Sequence, residues 1–189
     1  MIIAISGLHG TGKSTVAKLI AETFNLTYYS TGAMFRELAK ERGLTLEEFS
    51  KIAEVDKKID IEIDNIIKNY VEKGNCIVDN QLSPYLLGNL IDFCVLLKCT
   101  KDVRLGRMLK RDGDTMEQKI KETLVREESE QKRFLEYYNV DVLNGNVIMG
   151  LFNLIIDTTN IDQKGVAKII SKAVDEFIRC KNIEIEKLK

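Results

Sequence analysis

The chain has 189 residues, 44% of them hydrophobic and 30% charged, with a formal net charge of −1. That is enough apolar side chain for one substantial core, and the near-neutral balance argues against a general affinity for nucleic acid. His9 is the only histidine, so metal centres built on histidine clusters are excluded, and no apolar run approaches the roughly 18 residues a membrane helix needs.

Residues 2–5 form an apolar run that reads as a buried strand. It leads at once into Gly7-Leu8-His9-Gly10-Thr11-Gly12-Lys13-Ser14, the complete Walker A spacing, followed by Thr15. Glycines let the backbone turn its N–H groups inward, where they make an anion-binding nest at a helix N-terminus. Lys13 then reaches β- and γ-phosphates, and Ser14 offers a hydroxyl to Mg²⁺, a cation that prefers hard oxygen ligands. Val16, Ala17, Leu19 and Ile20 continue as an apolar stripe at helical spacing, which completes the strand, loop, helix order. The plain alternative, a glycine-rich turn that binds nothing, does not account for those flanks. His9 is read as a spacer in the loop.

Residues 27–30 form a second short strand. Thr31-Gly32 turns into a helix carrying Met34, Phe35, Leu38 and Ala39, which Gly43 ends, and Thr45-Leu-Glu-Glu48 is a capping box that opens the next helix. A further helix over residues 56–73 aligns Asp56, Asp60 and Asp64 on one face. A solvated face is the favoured reading of those three, the other being acceptors for an exocyclic amino group. Cys76-Ile-Val-Asp79 reads as a central parallel strand ending in a carboxylate, where chemistry usually sits. Pro84 falls in the loop behind it.

Residues 92–99 hold a fourth strand, and Thr100 caps a helix that sends Arg104, Arg107 and Arg111 from one face. Asp114 caps the next helix, which reaches about Tyr138 and carries Arg126 and Arg133. These arginines suit a phosphoryl-transfer cleft, although Glu122–Arg126, Arg126–Glu130 and Glu128–Lys132 also read as ordinary surface pairs. Residues 139–150 are irregular, with Asn144-Gly145 as a turn, residues 154–157 give a fifth strand, and an amphipathic helix covers residues 162–179. The Lys-rich end is read as a solvated helix tail. Strands alternating with helices predict an α/β fold, a five-stranded parallel sheet with helices on both faces.

Cys76, Cys94, Cys99 and Cys180 show no C-x-x-C pairing and are read as reduced. No charged-then-apolar leader precedes the phosphate loop, so a cytoplasmic protein is expected. The guanine-reading Asn/Thr-Lys-x-Asp signature of switch GTPases is absent, since Thr100-Lys-Asp102 falls one residue short of it.

The order of these pieces resembles the nucleoside monophosphate kinases, and the wording is similar to the archaeal-type cytidylate kinases. The carriers are the phosphate loop, Ser30-Thr-Gly-Ala-Met-Phe-Arg36 with its continuation to Gly43, Thr45-Leu-Glu-Glu-Phe49, and Arg126-Glu-Glu-Ser-Glu-Gln-Lys-Arg133 followed by Tyr137, Tyr138 and Asp141. The resemblance implies a P-loop NTPase fold in a single domain over residues 1–189. Its core covers 1–31, 74–103 and 151–180, with a mobile acceptor-binding segment over 32–73 and a lid over 104–141. It also implies transfer of the γ-phosphoryl group of ATP to CMP or dCMP, with Mg²⁺, and partners limited to small-molecule nucleotides, with no nucleic acid, membrane or protein partner.

In that reading Lys13, Arg107, Arg111, Arg126 and Arg133 are catalytic, and Ser14 binds the metal directly while Asp79 holds it through water. Arg36 and Gln81 grip the acceptor. The chain departs from the family after the third strand: relatives read Glu-Gly-Arg-Leu-Ser or similar, where this chain reads Asp79-Asn80-Gln81-Leu82-Ser83. Gln81 keeps open a different acceptor, such as AMP, UMP or a phosphorylated metabolite. An ATP-binding protein without transferase activity is the alternative of another class.

Overall fold

A computed structural model describes residues 1–112, 116–142 and 149–187. Five parallel strands, β1 (Ile2–Ser6), β2 (Thr27–Ser30), β3 (Cys76–Asp79), β4 (Phe93–Lys98) and β5 (Leu154–Asp157), lie in the order β2-β3-β1-β4-β5. The chain leaves β1 for β2 on one side and later crosses to β4 on the other. β1 is therefore the strand at which the order reverses, and the loop leaving it opens on a crevice at the carboxyl ends of its neighbours.

Side chains alternate between the two faces of the sheet. Ile3, Ile5, Ile77, Val95 and Leu97 pack against Val16, Ala17 and Ile20 of α1 (Lys13–Phe24) and Val166, Ile170 and Val174 of α8 (Gln163–Lys187). Cys76 and Val78 point the other way, against Ile67 and Val71 of α4 (Lys58–Val71) and Leu87 of α5 (Ser83–Leu87). Both faces are covered, which is why the central strands read as continuous apolar runs.

Helices α2 (Thr31–Glu41), α3 (Leu46–Ala53) and α4 share a smaller core of Phe35, Ala39, Phe49, Ala53, Ile59 and Ile63. The capping box of α3 is formed in both directions between Thr45 and Glu48. α6 (Lys101–Asp112) and α7 (Met116–Tyr138) pack side by side, and α7 also lies against α3.

Two expectations need correction or restriction. The stretch around Pro84 is no plain loop, because the proline occupies the first turn of α5, where its missing N–H costs nothing. α8 runs on to Lys187, in keeping with a helical tail beyond residue 179. The Asp114 cap, most of the Asp112-Gly-Asp114 turn and the Asn144-Gly145 turn lie outside the described residues, as do the side chains of Arg111 and Glu122. Cys76 and Cys94 are buried, Cys99 is partly covered and Cys180 is exposed, all as free thiols. Among the described residues no helix is long and apolar enough to cross a membrane.

Candidate active site

The Walker loop is fixed by close backbone approaches. Gly7 and Gly10 both have positive φ, and a Cβ at Gly7 would strike the carbonyl of Leu97, while one at Gly10 would lie 2.6 Å from the carbonyl oxygen of Arg104. No larger residue fits either position without moving β4 or α6. Gly12 is the N-cap of α1 and no side chain caps the helix, which leaves its N-terminus facing the cleft. Lys13 Nζ folds back to the carbonyl of Leu8 at 3.0 Å, and burial lowers its pKa, with Asp79 and Glu130 opposing the shift. The ammonium is thus held, poorly solvated, beside a site suited to anions.

At the end of β3, Asp79 is 4% exposed and its Oδ2 gathers three hydroxyls. Ser14 Oγ donates to it at 2.5 Å, Tyr28 Oη at 3.1 Å and Ser30 Oγ at 3.3 Å. Strand register brings this about, since Ser30 pairs with Asp79 and Asp79 with Ile5. A serine hydroxyl against a buried carboxylate in a phosphate loop is a donor set of hard oxygens, the kind that Mg²⁺ takes in company with phosphate. The residues present therefore fit that ion.

The loop opens on a cleft of about 320 Å³ whose lining includes Lys13, Ser14, Arg36, Asp60, Asp64, Asp79, Gln81, Arg107, Arg126, Glu130, Arg133 and Tyr138. Residues expected at the site from the sequence thus converge, but the arginines do different things. Arg107 reaches the cleft while donating to Thr158 Oγ1 at 3.0 Å and to the Thr158 carbonyl at 2.6 Å, so the exit of β5 orients it. Arg104 is instead buried, with its guanidinium on Glu127 and on the carbonyl of His9. Arg126 donates to Glu130 Oε1 at 3.0 Å, and Arg133, 3% exposed, grips both oxygens of Asp60 at 2.6 and 2.7 Å.

Two readings change here. The α4 aspartates are not all on a solvated face: burial raises the pKa of Asp60 against the pull of Arg133, and that of Asp64 against a hydrogen bond from Tyr138. Tyr138 Oη donates to Asp64 Oδ2 at 2.5 Å. Arg126–Glu130 is likewise no surface pair, because Glu130 is buried in the cleft wall. Lys132 meets Glu54 across from α3.

Glu130 is the residue that spacing alone did not single out as functional. Its Oε2 receives His9 Nε2 at 2.6 Å and Gln81 Nε2 at 2.7 Å. For both to donate, His9 carries its hydrogen on Nε2, and the 3.3 Å approach of Gln81 Nε2 to that ring nitrogen is a contact between two donors. Burial alone would raise the pKa of Glu130, yet His9 and the Arg126 and Arg133 guanidiniums outweigh it and hold the carboxylate ionised. The signal was present in the sequence: residues 126, 130, 133, 134 and 137 recur at helical spacing on one stripe of α7.

A parallel sheet with a Walker loop at its reversal strand, a serine–aspartate pair beside the loop lysine, and a cleft closed by helical segments defines a P-loop phosphotransferase. Residues 3–135 match the family described as AAA domain. Cytidylate kinases are similar along nearly the whole chain. That of Methanocaldococcus jannaschii is 40% identical, covering 94% of this chain and 99% of its own. That of Sulfurisphaera tokodaii is 41% identical over 97% and 99%, and that of Staphylothermus marinus 37% over 95% and 99%. The chain belongs to the cytidylate kinase family. In fold alone it is similar to an uncharacterized protein from Eubacterium ventriosum, with TM-score 0.69 at 20% identity over 93% of this chain and 98% of that one. It is also similar to shikimate kinase from Aquifex aeolicus, with TM-score 0.56 at 18% identity over 93% and 97%.

Proposed function

We propose that the chain transfers the γ-phosphoryl group of ATP to CMP or dCMP, giving ADP and the nucleoside diphosphate. The observation that carries the proposal is the continuity of one cleft from Lys13 and Ser14 to Arg36, Asp60 and Asp64, which puts the phosphate loop and the acceptor side on one opening. An acceptor phosphate is already ionised at neutral pH. No general base is needed, and the work reduces to aligning two polyanions and balancing their charge.

Lys13 and the α1 N-terminus bind the donor phosphates. Arg107, Arg126 and Arg133, which line the same cleft, are assigned to the group in transfer, and Arg111 takes the same role from the sequence. Arg36 grips the acceptor phosphate, with Gln81 beside it. Magnesium bound with the nucleotide would neutralise charge between the β- and γ-phosphates, and Ser14 would hold it directly with Asp79 acting through water. Helices α6 and α7 act as a lid, and residues 32–73 as the acceptor segment. A cytoplasmic location accords with nucleotide substrates.

The test is a coupled ADP-release assay with ATP and a panel of CMP, dCMP, UMP, AMP and GMP. CMP or dCMP giving the highest kcat/KM is the expected outcome. A different preferred acceptor, or ATP binding without acceptor-stimulated turnover, would replace the proposal.

A further inference from the structure

Three hydroxyls meet Asp79 Oδ2, and they are not equivalent. Ser14 belongs to the phosphate loop, where its oxygen is also the direct ligand proposed for Mg²⁺. Ser30 caps α2, accepting from the backbone N–H of Ala33 at 3.3 Å, so its hydroxyl serves that helix as well. Tyr28 has neither task, and its hydroxyl donates to Asp79 at 3.1 Å.

That contact is built into the strands. Tyr28 pairs with Ile77, two residues before Asp79 along β3, so the phenol has to lean about 6.6 Å along the sheet to reach the carboxylate. A tyrosine spans that distance, and a serine or threonine at position 28 would not. The ring packs against the apolar cluster that α1 shares with the sheet, and the Lys18 ammonium lies 5.5 Å from the ring centre. A packed ring with two torsions thus places the phenol oxygen.

All three donors are neutral. They orient the buried carboxylate without cancelling its charge, which stays available to a cation. They also sort its two oxygens: Oδ2 takes every hydroxyl and, among the described residues, Oδ1 takes none.

We propose that Tyr28 is a positioning residue for the metal site, its hydroxyl holding Asp79 Oδ2 so that Oδ1 stays free to accept from the water shell of Mg²⁺. The inference rests on the donor-site reading of Ser14 and Asp79 and is independent of the acceptor.

The need for a third donor follows from the work of the other two. A serine oxygen that ligates an ion has its hydroxyl constrained by that bond, and the Ser30 contact at 3.3 Å is the longest of the three and shared with the α2 cap. Tyr28 is the donor that neither the ion nor a helix end constrains. Groups that orient a metal ligand are worth about ten- to a hundredfold in metal affinity. Tyr28 acts on a carboxylate that itself acts through water, so about three- to tenfold is expected.

Calorimetry of ADP binding with and without Mg²⁺ reads this without turnover, in the parent, Tyr28→Phe, Asp79→Asn and the double variant. The parent is expected to bind ADP more tightly with Mg²⁺. Tyr28→Phe keeps the ring, so its ADP affinity without Mg²⁺ should stay within about twofold of the parent's, while the affinity with Mg²⁺ falls about three- to tenfold. In the Asp79→Asn background the same change should alter neither affinity, because the carboxylate it would hold is gone. Should Tyr28→Phe fail to fold, Tyr28→Met, which keeps apolar bulk without the hydroxyl, decides by the same comparison. A residue that only packs would lower both affinities together or leave both unchanged; either result overturns the proposal, as does an equal loss in the Asp79→Asn background. A parent that binds ADP equally well with and without Mg²⁺ overturns the metal reading of Ser14 and Asp79, and this inference with it, while CMP transfer is judged by its own assay.

Discussion

His9 Nε2 lies 2.6 Å from Glu130 Oε2, which ties the Walker loop to the middle of α7 by a part-buried bond between residues 121 positions apart. The same carboxylate takes Gln81 from the exit of β3 and Arg126 from its own helix. One anion thus joins the phosphate loop, the acceptor side and the proposed lid at the point where substrate phosphates would have to be accommodated. A phosphate competing for Arg126 would take one cation from Glu130 and leave it His9 and Gln81 as partners.

Acidification should weaken the fold through this pair. Burial lowers the pKa of His9 from its ordinary 6.5, with Arg126 and Lys13 adding to the shift and Glu130 opposing it. The unfolded chain therefore binds a proton near pH 6.5 that the folded chain resists, and stability falls as pH drops below that value towards the folded pKa. Glu130 adds to the loss at lower pH, since its folded pKa lies below its ordinary 4.5 and its contribution fades as pH falls through and beneath that value. His9 is the sole histidine, so chemical denaturation of the parent and of His9→Asn between pH 7.5 and about 5 isolates its share. The parent should lose stability relative to the variant on going down; parallel curves would contradict the burial argument.

Lys13→Ala should reduce kcat/KM by at least about a hundredfold, roughly 2.7 kcal/mol, with the melting temperature within a few degrees of the parent. The ammonium makes a bond to the Leu8 carbonyl and is costly to keep desolvated, so its loss harms catalysis and spares the fold. Asp79→Asn should shift the Mg²⁺ titration of activity to about tenfold higher concentration, because it removes a charge next to Ser14 at nearly constant volume. Turnover of Lys13→Ala within about tenfold of the parent, or an unmoved Mg²⁺ titration, would speak against these roles.

The sheet and the donor loop were legible in the sequence for a local reason. Ile2 to Ser14 carries strand, turn and helix signals within one short stretch, and the run ending at Asp79 could be read as central because both faces had to be covered. The acceptor side was not, because it depends on pairs between distant elements. Asp60 alone looks like one of several charges on α4; only its contact with Arg133, residues 73 apart, shows it to be half-buried. Glu130 was hidden by its own helix, where Arg126 four residues earlier supplies an ordinary surface explanation. Spacing reports neighbours along an element, and these carboxylates are defined by what packs across it.

Hydrogen exchange should register closure at α7. The helix is anchored to the acceptor segment by Arg133–Asp60, Lys132–Glu54 and the Tyr137 hydroxyl on the carbonyls of Ala53 and Glu54, to α6 by Arg104–Glu127, and to the phosphate loop by His9–Glu130. Peptides within residues 120–138 should gain protection with ATP and CMP analogues together, or with a bisubstrate analogue, and much less with either nucleotide alone. Equal protection in the free protein would mean a rigid α7 and no lid.

Gln81 stands where the resembling kinases carry an arginine, and its bond to Glu130 at 2.7 Å changes what restoring that arginine should do. An arginine there would meet the same carboxylate first, and a charge paired with Glu130 is only partly available to an acceptor phosphate. Gln81→Arg should therefore lower the KM for CMP by less than about threefold, while Gln81→Arg combined with Glu130→Gln should lower it further, since the fork is then free. Arg36, in the same cleft, should carry the acceptor charge in the parent. Arg36→Ala should cost about ten- to a hundredfold in kcat/KM for CMP, the loss of a charged hydrogen bond of roughly 1.5–3 kcal/mol, with the KM for ATP unchanged. Steady-state kinetics with CMP varied at saturating ATP measures all three. Should Arg36→Ala leave CMP use untouched while Gln81→Arg impairs it, the acceptor phosphate lies elsewhere in the cleft, and a different acceptor becomes the better reading of Gln81.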